Sequence, residues 1–119
     1  MRKLAPSNIK HQTSNFKYSS MHNHLTNASI QLLPIVQDRH PYEWVDEVIA
    51  LIEKCGLVYT VGPFGTAVEG NYEQIRQLID DINQYLHQRQ CAEWVLNVQW
   101  QIRAGSDVTI EEKLEGRNK

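Results

Sequence analysis

Between Pro41 and Gly56, the residues Trp44, Val45, Val48, Ile49, Leu51, Ile52 and Cys55 recur at helical spacing on one broad face. No other feature constrains the fold as much, because a helix with one apolar face must bury it against a second layer. Pro41 suits the first helical position, where its missing N–H is harmless. Glu43, Asp46 and Glu47 lie towards the positive end of the helix and Lys54 near the negative end, while Gly56 supplies a left-handed stop. A second stripe, Ile75, Leu78, Ile79, Ile82 and Leu86, follows Asn71, which with Gln74 makes a capping-box pattern.

The segments around these helices carry the other period. Ala28 to Ile35 alternates, with Ile30 and Leu32 on one side, Ser29, Gln31 and Leu33 on the other, and Pro34 marking the end. Leu57 to Val61 and Thr66 to Glu69 read as strands joined by a Gly62-Pro63 turn, hence an antiparallel hairpin. From Trp94 a long strand sets Trp94, Leu96, Val98, Trp100 and Ile102 against Val95, Asn97, Gln99 and Gln101. Thr109 and Glu112 propose a second capping box, opening a short helix that runs through Leu114. The order β-α-β-β-α-β-α predicts an α+β, ferredoxin-like βαββαβ sandwich: a four-stranded antiparallel sheet with two helices on one face and a short C-terminal helix. The opposite face is expected to stay bare, and its mix of Leu33 and Val95 with Gln31, Asn97 and Gln99 suits a partner subunit or a ligand.

The chain has 119 residues, room for one domain and one core. Residues 1–27 are rich in Ser, Asn, Gln, His and Lys without apolar periodicity, so they are read as a flexible extension preceding a domain at 28–119. His11, His22 and His24 fall in or beside that polar stretch and are read as solvated side chains, with no metal site expected. A net charge of −2 leaves no electrostatic footprint for nucleic acid. No stretch approaches the ~20 apolar residues of a membrane span. Arg2 and Lys3 are not followed by the apolar run of a signal peptide. Cys55 and Cys91, without zinc or redox spacing, are expected to be reduced thiols, and the localisation expected is cytoplasmic.

Catalytic templates find no match: there is no Gly-x-Ser-x-Gly, no phosphate loop with its Lys, and no His-Glu-x-x-His. The informative segment is Gly62-Pro63-Phe64-Gly65-Thr66-Ala67-Val68-Glu69-Gly70. Its glycines permit positive φ in a tight hairpin. Thr66 and Glu69 place a hydroxyl and a carboxylate beside the turn.

Together with Leu-Leu-Pro-Ile in the first strand, Gly-Leu-Val-Tyr before the hairpin and Val-Thr-Ile-Glu-Glu-Lys-Leu near the end, this segment resembles the thiamine-binding family of small ferredoxin-like proteins. The resemblance spans about Ser29 to Leu114. It implies a binding protein rather than an enzyme, with thiamine or its hydroxymethylpyrimidine half as bound ligand, no cofactor, and assembly through sheet faces into a homodimer or homotetramer. Carried onto this sequence, it points to Thr66, Glu69 and Asn97. Relatives carry acidic and basic residues where this chain has Gln101-Ile102-Arg103-Ala104, which puts intersubunit ion pairs there in doubt.

An aminopyrimidine needs apolar walls and a few placed donors and acceptors, which the hydroxyl and amides of Thr66, Gln31 and Asn97 supply. Glu69 would meet the amino group or the thiazolium charge, and Tyr59 or Trp44 would stack on the ring. With no basic cluster near the hairpin, the unphosphorylated vitamin is expected over its diphosphate. The competing expectation is a structural or regulatory homo-oligomer whose sheet face serves assembly only.

Overall fold

A computed structural model describes residues 24–117; most of the N-terminal extension lies outside the described residues. The elements are β1 (Leu25–Pro34), α1 (Pro41–Lys54), β2 (Val58–Val61), β3 (Thr66–Asn71), α2 (Tyr72–Gln88), β4 (Trp94–Gln101) and α3 (Ile110–Arg117). The strands form one antiparallel sheet in the order β2-β3-β1-β4, the α+β sandwich expected of the sequence.

Helices α1 and α2 cover one face. Trp44, Val48 and Ile52 of α1 and Ile75, Leu78, Ile82 and Leu86 of α2 are buried against Ala28, Ile30 and Leu32 of β1 and Val68 of β3. The Asn71–Gln74 capping box forms in full, with Gln74 N–H donating to Asn71 Oδ1 at 2.9 Å and Asn71 N–H to Gln74 Oε1 at 3.0 Å. Gly56 takes the left-handed stop at φ +86°. Cys55, placed by its spacing on the apolar face, instead caps α1 and is exposed, whereas Cys91 is buried and its thiol is pushed up by desolvation.

Two expectations change. β1 begins at Leu25 rather than Ala28, because Thr26 and Asn27 are polar yet buried with partners of their own. Thr26 Oγ1 donates to the Gly70 carbonyl at 2.7 Å and accepts from Trp100 Nε1 at 3.0 Å. The second difference is that the far face of the sheet is only partly bare. The segment leading into α3 packs on it, with Val108 N–H donating to the Leu25 carbonyl at 2.9 Å and Asn27 Nδ2 to the Val108 carbonyl at 2.8 Å. Val108 and Ile110 are buried there, and α3 continues to Arg117, beyond the expected Leu114.

The second capping box is half made. Glu112 N–H donates to Thr109 Oγ1 at 3.1 Å, but the Glu112 carboxylate accepts from Arg103 at 2.9 Å.

Candidate functional site

The β2–β3 turn is closed by Gly62 N–H donating to the Gly65 carbonyl at 2.9 Å. Neither glycine sits at positive φ, contrary to the sequence expectation. Their requirement is space: a Cβ on Gly65 would stand 3.2 Å from the Ile30 carbonyl, and one on Gly62 3.1 Å from the Gly65 carbonyl. The turn therefore lies directly against β1. Between it and α1 a cavity of about 200 Å³ opens on the helix side of the sheet.

Its walls are apolar: Ile30 and Leu32 from β1, and Val45, Ile49 and Ile52 from α1. Thr66, 3% exposed, brings a hydroxyl into this lining. Phe64 at the tip of the turn and Tyr42 in the first turn of α1 stand at the mouth, 82% and 72% exposed. No carboxylate, imidazole, amine or thiol lines the cavity.

The five residues singled out by sequence do not converge. Thr66 pairs with Val61 and Ile30 and faces the helices. Glu69 lies three residues further along the same strand, and side chains alternate with a period of two, so it points to the opposite face. There its Oε1 accepts from the Ile110 N–H at 2.8 Å, which ties the start of α3 to the sheet. Gln31 and Asn97 pair across β1 and β4, with Asn97 Nδ2 donating to Gln31 Oε1 at 3.3 Å, and Gln31 also reaches the cavity rim. Tyr59, opposite Val68 on the edge strand, faces the helix side but is absent from the cavity lining.

Tyr42 and Phe64 were missed by the sequence reading. Phe64 had a usable signal, since a large aromatic inside a four-residue turn has no core to enter. The tryptophans have structural tasks instead. Trp44 is buried under the Arg39 guanidinium, 4.2 Å from the ring centroid, with its Nε1 unpartnered among the described residues. Trp94 Nε1 donates to Asn83 at 2.9 Å, and Trp100 stacks on Tyr72 at 4.7 Å.

Away from the cavity, a polar clasp joins α1 to α2. Tyr85 donates its hydroxyl to Glu47 Oε1 at 2.5 Å, and Arg39 donates to Glu47 Oε2. The Tyr85 hydrogen bond, followed by that from Arg39, holds the Glu47 carboxyl below its usual value, and the same bond to Glu47 raises the Tyr85 phenol. Among the described residues no His, Cys, Asp and Glu cluster could hold a metal ion, and no helix is long and apolar enough to cross a membrane.

The sequence profile of the family described as thiamine-binding protein matches residues 28–117, taking in all the elements just described except the first residues of β1. The chain belongs to the thiamine-binding protein family. A curated relative, a UPF0045 protein of Clostridium perfringens, is 32% identical over 88 residues, 74% of this chain and 92% of that protein. Among solved structures, a candidate thiamine biosynthesis/salvage protein of Thermotoga maritima superposes with a TM-score of 0.71 at 34% identity, covering 78% of this family member and 98% of that chain. A domain of unknown function from Bacillus cereus shares the fold, with a TM-score of 0.71 at 23% identity over 76% of this chain and 88% of that one.

Proposed function

We propose that this family member is a non-catalytic binding protein for thiamine or its hydroxymethylpyrimidine half, and that the helix-side cavity holds the pyrimidine ring. The observation that carries this is the apolar space of about 200 Å³ between α1 and the β2–β3 turn, with the buried Thr66 hydroxyl in its lining. Pockets for drug-sized ligands run to roughly 300–1,000 Å³, so this one suits a single ring. The thiazolium half then projects past Phe64 and Tyr42, whose faces suit a cation. Binding without chemistry is supported by a lining whose one titratable side chain is Tyr42 at the mouth, with no second acid or base in that lining to make a pair. Exposed Leu33 and Val95, paired across β1 and β4, support self-association through the uncovered part of the sheet.

The test is calorimetry with hydroxymethylpyrimidine, thiamine and thiamine diphosphate. The expected result is saturable binding of the first two at similar affinity, with no gain from the diphosphate, because no lysine or arginine lines the cavity. A preference for the diphosphate of tenfold or more contradicts this placement.

A further inference from the structure

Glu47 ties α1 to its neighbours on one flank only. Its Oε1 accepts the Tyr85 hydroxyl from α2 at 2.5 Å, and its Oε2 accepts from Arg39 in the loop between β1 and α1. Arg39 is itself held from two further sides, by Glu43 at 3.1 Å and by the face of Trp44 at 4.2 Å. Arg89, at the C-terminal cap of α2, donates to the Tyr85 hydroxyl at 3.2 Å and stands 4.0 Å from Glu47 Oε1. Exposed ion pairs contribute little. Here, however, the Arg39 and Glu47 side chains are only 24% and 27% exposed, and both carboxylate oxygens are taken. Such a clasp can hold a helix in place.

The cavity lies against the other flank of the same helix. Successive residues turn by about 100° around an α-helix, so Val45 and Ile49, each two positions from Glu47, point roughly opposite to it. Both line the cavity. Trp44, Val48 and Ile52 lie between the two flanks and are buried against the sheet. Among the described residues, no hydrogen bond or ion pair joins α1 to the β2–β3 turn across the cavity. An apolar space of about 200 Å³ leaves the atoms that line it without partners on one side, so packing favours closing it. Closure needs α1 to move towards the turn, and the clasp on its far flank opposes that movement.

We propose that Glu47, Arg39 and Tyr85 are positioning residues for the helix-side cavity: by holding α1 towards α2, they keep the space between α1 and the β2–β3 turn wide enough for a ring. Without the clasp, α1 settles towards Phe64 and the open form becomes a minor state. Apparent affinity then falls in proportion to the open fraction, although none of the three residues lines the cavity. For the ligand this rests on the pyrimidine reading given above, whereas the spacing between α1 and the turn is a property of the protein alone.

The experiment compares the full chain with Tyr85→Phe, with Glu47→Gln and, as a control, with Thr26→Val, which removes a buried hydroxyl from β1 without touching the clasp. In the ligand-free protein, NMR cross-peaks between the Phe64 ring and the Val45 and Ile49 methyl groups report the width of the cavity. They are expected to strengthen in both clasp variants and to keep their native intensity in Thr26→Val. Calorimetry with hydroxymethylpyrimidine is expected to show at least about fivefold weaker binding in both clasp variants and native affinity in Thr26→Val. Tyr85→Phe deletes a single hydroxyl, so it carries the comparison if Glu47→Gln fails to fold. Unchanged or weaker cross-peaks in the clasp variants would overturn the proposal, whatever the ligand does. So would native affinity in both clasp variants, or an equal loss of affinity in Thr26→Val. A native chain that binds no hydroxymethylpyrimidine removes the pyrimidine reading instead, and the cross-peaks alone then decide the role of the clasp.

Discussion

Glu69→Ala separates a structural from a ligand-binding role for this carboxylate. The N–H of Ile110 belongs to the first turn of α3, where backbone donors have no partner within the helix. Glu69 Oε1 accepts that N–H at 2.8 Å from the neighbouring sheet, while Thr109 accepts from Glu112 one turn on. An eight-residue helix is far too short to hold itself together in water, so its order depends on such attachments. Losing a capping acceptor costs about 0.5–2 kcal/mol, and losing only its negative charge at the helix start costs about 0.3–1 kcal/mol. We expect Glu69→Ala to destabilise by about 1–2 kcal/mol and Glu69→Gln by about 0.5 kcal/mol. Urea unfolding gives both values, and hydrogen exchange at Ile110 should accelerate in Glu69→Ala ahead of amides in β1 and β3. Unchanged stability and unchanged protection of Ile110, together with lost thiamine affinity, would refute this reasoning and return Glu69 to the ligand.

Thr66→Val should weaken hydroxymethylpyrimidine by about 1–3 kcal/mol, since it removes the hydroxyl from a desolvated lining at constant shape; calorimetry checks it against an unchanged melting curve. Thr26→Val should cost about 1–3 kcal/mol in urea, because the Gly70 carbonyl and Trp100 Nε1 both lose a buried partner. Ile82→Ala, at a fully buried site on α2, should cost about 2–5 kcal/mol in the same assay. Glu47 has a folded pKa below its ordinary value of 4.5, so its contribution to stability is present above that value and is lost as pH falls through the depressed one. The stability gap between the native protein and Glu47→Gln should therefore be largest near neutral pH and close on acidification below 4.5, while Tyr85→Phe should move the closure upwards; urea melts across that range decide.

What the sequence made legible was local. The stripes of α1 and α2, the Asn71–Gln74 box and the Gly56 stop each depend on residues within one or two turns, and the sheet order follows from chain connectivity. What it hid was non-local. Thr26 and Asn27 look like the end of a polar tail because their partners Gly70, Trp100 and Val108 lie 44, 74 and 81 residues away. The same distance effect concealed Glu69, whose partner Ile110 is 41 residues on. Thr66 and Glu69 share a motif, yet three residues along a strand reverse the face, so they lie on opposite sides of the sheet. In the sequence the glycines of the turn signal backbone freedom, whereas in the fold Gly65 provides close approach to β1, which only the packed sheet reveals.

A crystal structure of the protein with hydroxymethylpyrimidine tests the central claim most directly. The account predicts the ring between α1 and the β2–β3 turn, within hydrogen-bonding distance of the Thr66 hydroxyl and covered by Phe64 or Tyr42. A ring seated on the Gln31–Asn97 face of the sheet with the helix-side cavity empty would contradict it.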